Sequence, residues 1–167
     1  MNVQEFLFKY GRGDRNFTGV ILHAADLSHR TLNGINFRQA DLSGVDLRGV
    51  NLTRANLRYA NLANANLTNA DLSGANLQEA NLRGAVLKGA NFVGSNLIQA
   101  DLRSTDLDGV NLQGAHLADT QMDRASLQQA NLSGAYLDGV NLTEVDLTEI
   151  ASTVTDPALA TAGAVYR

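Results

Sequence analysis

The chain has 167 residues, a mass of 17.8 kDa and a formal charge of −4, which is enough material for one domain. Hydrophobic residues at 44% against 18% charged predict a folded chain, yet 5% aromatics and no Trp exclude a bulky aromatic core. The lack of Cys excludes disulfides, thiolate metal sites and cysteine nucleophiles, and a pI near 5.2 argues against a general nucleic-acid binder, since phosphate neutralisation needs a basic excess.

The N-terminal stretch from Met1 to Arg15 carries Glu5 early and reaches only Phe6-Leu7-Phe8 before Lys9. Neither a secretory signal nor a membrane span can be read there, so the expectation is a soluble, cytoplasmic chain. Asn2 followed by Glu5 resembles a capping box, and Val3, Phe6, Leu7 and Tyr10 fall at i, i+3, i+4 and i+7. With Gly11 placed to stop it, a short amphipathic helix is expected over 3–10. Two nearby acidic residues favour a cap over a membrane anchor.

From Phe17 the chain repeats every five residues. Of the 27 positions spaced by five from 17 to 147, 23 are Leu, three are Phe (Phe17, Phe37, Phe92) and one is Met122. Two residues earlier, positions 20 to 145 hold Ala, Val, Ile, Ser or Thr, with Arg30 as the exception. The residue just before is Asn or Asp in 20 of the 27, and Gly appears 12 times two residues after. The unit is represented by Ala75-Asn76-Leu77-Gln78-Glu79.

An α-helix cannot hold this pattern. Five residues advance about 500°, so successive Leu would scatter around the cylinder, and each Gly would cost about 1 kcal/mol. In extended chain the small residue and the Leu share a face, while Asn or Asp points away. Five is odd, so a straight strand would flip its apolar face at every repeat. The chain must therefore turn a corner once per unit, and Gly supplies the positive φ of a type II turn. A chain that always bends the same way coils into a solenoid with parallel coils about 4.8 Å apart.

These residues, from about Arg15 to Ile150, resemble the pentapeptide-repeat family. The resemblance implies an all-β solenoid, a right-handed quadrilateral β-helix with four units per coil and nearly seven coils. Residues 20 apart would then stack, with Phe17, Phe37, Leu57, Leu77, Leu97, Leu117 and Leu137 in one column. The expected organisation is a cap and linker at 1–14, repeats at 15–150 and a tail at 151–167. Asp156-Pro157 is a good helix start, so the tail is expected as a weak helical cap, or as an end left open for a partner. In the family the C-terminal end is a place where subunits meet, which implies a homodimer through that end.

Candidate chemistry is sparse. His23, His29 and His116 occupy outward or corner positions without a second ligand at metal spacing, and read as solvated. Asp26 and Asp46 could stack, with Arg48 nearby, but Asp and Asn share that outward slot throughout and are expected to bond local backbone. Asn16, Asn36, Asn56, Asn76 and Asn96 are expected to form an amide ladder. Arg30, in an inward slot, is expected to pair with Asp14 or Glu5. Tyr136, Val86, Ile98 and Val93 add scattered apolar surface. No catalytic residue, cofactor motif or metal set is assigned.

Charge is uneven: residues 1–83 hold nine Lys/Arg and seven Asp/Glu, a net +2, and residues 84–167 hold four and ten, a net −6. Asp101, Asp106, Asp108, Asp119, Asp123, Asp138, Glu144, Asp146 and Glu149 crowd the last coils, suggesting an acidic end that faces a basic protein partner. The expected function is a rigid, non-enzymatic interaction scaffold, with no direct contact to nucleic acid or membrane. The rival reading comes from family members that resemble B-form DNA and bind DNA gyrase; the basic N-terminal half opposes it. Uninterrupted arrays of this kind look most like cyanobacterial members of the family.

Overall fold

Each outward Asn or Asp acts locally before it contributes to any surface. In the computed structural model, which describes residues 1–150, the Oδ1 of all 20 of these residues accepts the backbone N–H two positions on, as in Asn76 with Gln78 at 3.1 Å. This side-chain bond starts the bend that follows the Leu. The bend closes when the next small residue donates back to the Leu carbonyl, as Ala60 N–H does to Leu57 at 3.0 Å.

The third residue of the turn takes the positive φ expected of type II geometry. Twelve glycines do so, and so do fourteen other residues, among them His29 and Tyr59 at +57° and +60°. A left-handed backbone costs a non-glycine residue about 1–2 kcal/mol, so the stacked neighbours impose this corner rather than local preference.

Stacking follows a single rule. Every parallel bridge, from Asn16 with Asn36 to Ser126 with Asp146, joins a residue to the one 20 positions on. Four units therefore make one coil, as expected. Leu57 N–H donates to the Asn76 carbonyl of the next coil at 2.7 Å, and Asn61 N–H donates to the Ala40 carbonyl of the preceding coil at 2.9 Å. The coil has four faces, beginning in the first coil at Asn16, Ile21, Asp26 and Thr31, called here the first to fourth.

The core is the column of large side chains lined by the small-residue slots. Leu57, Leu77 and Leu97 are buried, as are Ala55, Ala75 and Ala100. Phe37 and Phe92 are the large members. Ser95 sits fully buried in a small slot with no hydrogen-bond partner for Oγ, whereas Thr105 and Thr120 donate to the carbonyls of Leu102 and Leu117, both at 2.6 Å.

Helix α1 spans Val3–Gly11 and covers the open end of the first coil. Asn2 caps it, its Oδ1 accepting Glu5 N–H at 2.8 Å. Phe6 is the buried anchor; its ring meets Phe17 edge-on at 4.7 Å and lies 5.7 Å from Phe37. Gly11 remains inside the helix instead of ending it, because Arg12 forms the cap and Gly13 supplies the left-handed φ of +102°.

One expectation fails here. Arg30 is exposed and makes no ion pair among the described residues, and Glu5 bonds Lys9 at 2.8 Å. A carboxylate finds a cation more cheaply one helical turn away, and an arginine left in water has no desolvation to offset. The weak helix and the end-to-end dimer contact expected for 151–167 lie outside the described residues.

Candidate functional site

With the Leu and small residues committed to the interior, the surface consists of the Asn/Asp slot and the two residues after each Leu. Every twentieth residue forms a column, so each face is a grid about 4.8 Å apart along the axis.

The candidate acidic pair comes together on the third face, where Asp26 and Asp46 are bridged neighbours. Arg48 binds Asp46 through Nε at 2.9 Å and Nη2 at 2.5 Å, which holds the Asp46 carboxyl below its ordinary pKa. Asp26 is also held low, chiefly by the Ser28 hydroxyl at 2.7 Å. Two ionised, locally satisfied carboxylates are poor proton donors or acceptors near neutrality. They serve the turns.

The histidines separate. His23 Nδ1 lies 2.8 Å from Ser43 Oγ, His29 stands at a left-handed corner, and His116 stacks on Tyr136 with ring centroids 4.5 Å apart. Among the described residues no group of three His, Asp or Glu is placed to hold a metal ion. No helix of the described residues is long and apolar enough to cross a membrane.

Only the first rung of the expected amide ladder is hydrogen-bonded, Asn36 Nδ2 donating to Asn16 Oδ1 at 3.1 Å. The other such rungs run on the second and fourth faces, as in Asn81 to Asn61 at 3.1 Å and Asn131 to Asn111 at 3.2 Å.

A shallow groove of about 650 Å³ lies on the second face between Arg83, Arg103, Asp123, Arg124 and Glu144. Arg103 is bound to Asp101 at 2.6 Å, and that guanidinium holds Asp101 below its ordinary pKa. Arg124 lies 3.9 Å from Glu144. The groove is thus lined by charges already partly paired to each other.

Splitting the charge by halves of the chain missed the first face. There Arg38 and Arg58 hold their guanidinium carbons 5.5 and 5.0 Å from the centroid of Tyr59, and Arg58 Nη2 donates to the Tyr59 hydroxyl at 3.1 Å. Four coils further along the same face stand the exposed carboxylates Asp119 and Asp138. The 20-residue register was the signal that would have revealed this column.

Residues 21–58, 51–89, 80–119 and 120–149 match the family described as pentapeptide repeats (8 copies). Among solved structures the chain is similar to HetL, a pentapeptide repeat protein involved in heterocyst differentiation regulation from the cyanobacterium Nostoc sp. strain PCC 7120. That match has 28% identity, covers 91% of this chain and 99% of that one, and has a TM-score of 0.43. A pentapeptide repeat protein from the Arabidopsis thaliana thylakoid lumen is 30% identical over 63% of this chain and 70% of that one, with a TM-score of 0.47. Rfr23, a pentapeptide repeat protein from the cyanobacterium Cyanothece 51142, is 28% identical over 89% and 99%, with a TM-score of 0.46. No curated protein matches the chain. The family matches run without a gap from residue 21 to residue 149, and the protein belongs to the pentapeptide-repeat family.

Proposed function

We propose that this chain is a rigid, non-enzymatic scaffold that binds other proteins through its outer faces, wound in the right-handed sense that its family resemblance implies. The observation that carries this reading is a division of labour within the unit. Leu, the small residue and the Asn or Asp satisfy the fold, so the two residues after each Leu are free to vary on a fixed grid. On that grid charge is segregated, with Asp119 and Asp138 exposed and Asp123 half-buried toward the C-terminal coils. Such a surface selects and steers a partner of opposite charge.

Affinity capture from the native cell tests the scaffold reading, using the full chain and a variant carrying Asp119→Lys and Asp123→Lys. A basic protein retained by the first and lost at least tenfold by the second supports it. Equal retention by both overturns the assignment of the acidic end.

A further inference from the structure

The geometry points to the first face as a self-association surface, on which a second copy of this chain lies antiparallel. This deepens the scaffold reading by naming one partner, and rests on it.

Four charges on the first face stand without an ion-pair partner among the described residues. The ion pairs of the described residues lie within α1 (Lys9 with Glu5), on the third face (Arg48 with Asp46) and on the second face (Arg103 with Asp101, Arg124 with Glu144). On the first face Arg38, Arg58, Asp119 and Asp138 have no ion-pair partner within 4.0 Å among the described residues, and Arg58 Nε is buried with no hydrogen-bond partner among them. The two arginines belong to the second and third coils and the two carboxylates to the sixth and seventh.

A face-to-face two-fold axis lying across the prism reverses the coil order and preserves the columns. Centred between the fourth and fifth coils, it sets coil 2 against coil 7, coil 3 against coil 6 and coil 4 against coil 5. Arg38 then faces Asp138 of the other copy, and the Arg58–Tyr59 pair faces Ala118 and Asp119. Gln78 faces Ile98 at the centre, and Asn56 and Asn36 face the stacked His116 and Tyr136. Glu79 meets Gln99, so no like charges oppose each other. A parallel pairing would instead set Arg38 on Arg38.

The other faces lack this self-complementarity. The third, turned the same way, sets Asp46 against Asp146, and the second sets Arg83 against Arg103. The fourth carries almost no charge. Tyr and Arg are also the residue types that concentrate at protein interfaces, and both half-exposed tyrosines, Tyr59 at 38% and Tyr136 at 53%, stand on the first face. Six coil spacings give a face about 29 Å long and about 15 Å wide, hence about 900 Å² buried across both copies. That is the range of a weak association, sensitive to salt.

Sedimentation velocity on the purified full chain tests the proposal. The expected result is a dimer at low ionic strength that dissociates at 0.5 M salt, with Lys88→Glu on the third face unchanged. Arg38→Glu/Arg58→Glu and Asp119→Arg/Asp138→Arg should each weaken self-association at least tenfold. Mixed together, the two variants should form a heterodimer, because each then presents what the other lacks. Circular dichroism confirms that both remain folded. A wild-type monomer at 100 µM and low salt, a dimer that survives either reversal, or failure of the mixed variants to associate would each overturn the antiparallel face. None of these results touches the scaffold reading, whose test is a heterologous partner.

Discussion

Leu77→Ala should expose the energetic logic of the column. Leu77 is wholly buried, stacked between Leu57 and Leu97 in the fourth of nearly seven coils. The substitution removes three carbons, worth about 2.4 kcal/mol of transfer free energy at about 0.8 each. The backbone on both sides is held to neighbouring coils, with Leu77 N–H on the Asn96 carbonyl at 2.7 Å, so the site cannot collapse fully. A residual cavity of about 50 Å³ adds about 1.2 kcal/mol, for a total near 3.6 kcal/mol. With an unfolding entropy near 2.1 cal/mol/K per residue, the described 150 residues convert this to a fall in Tm of about 11 °C. The same change at Leu147, partly exposed in the last coil, should cost about 1 kcal/mol or less. Thermal denaturation followed by circular dichroism compares the two. Equal losses, or a Leu77→Ala loss under about 1 kcal/mol, would refute the idea that the interior column specifies the fold.

Ser95→Ala should stabilise the protein by about 1 kcal/mol, because it removes a buried hydroxyl without a partner from a slot that elsewhere holds Ala; a loss of stability in chemical denaturation would show that the hydroxyl is satisfied. Gly49→Ala places a Cβ 2.6 Å from His29 Nδ1 at φ +60°, whereas Gly114→Ala meets nothing within 4 Å at φ +64°. Both should lose about 1 kcal/mol to backbone strain, with Gly49→Ala losing more, and His29→Ala should bring the two level in the same assay. The carboxylates of Asp26, Asp41, Asp46, Asp101 and Asp146 are held below their ordinary pKa by hydrogen bonds from Ser28, Ser43, Arg48, Arg103 and Thr148. Folded values below unfolded ones mean this stabilisation is present above about pH 4 and lost as pH falls through the folded values, so Tm should be flat from pH 5 to 7 and drop below pH 4; a drop beginning at pH 6 would refute the assignment to these carboxylates. With a net +2 over residues 1–83, the chain should neither inhibit gyrase supercoiling nor protect it from quinolones; either effect would favour DNA mimicry.

The coil was legible because an odd-numbered unit allows few solutions. Once Leu and the small residue must face inward, a corner per unit is forced, and the Asn or Asp before each Leu has backbone within reach. A corner in every unit was legible, but a left-handed φ at Gln39, Tyr59 and Glu79 was not, since nothing local to those residues prefers that conformation and the stacked coils impose it. Arg30 misled for a related reason: its slot faces inward only where neighbouring coils cover it, and coverage belongs to the stack. The first face was hidden because complementarity between residues 100 apart, such as Arg38 and Asp138, depends on coil register rather than chain order.

The five-residue step combined with a twenty-residue circuit has an evolutionary consequence. Duplicating one unit inside the array leaves every interior requirement met, yet rotates all downstream surface side chains by a quarter turn, onto the adjacent side. A whole-circuit duplication instead only lengthens the rod. Lineages that gain or lose single units can therefore remodel what they recognise in one event while their folding remains intact.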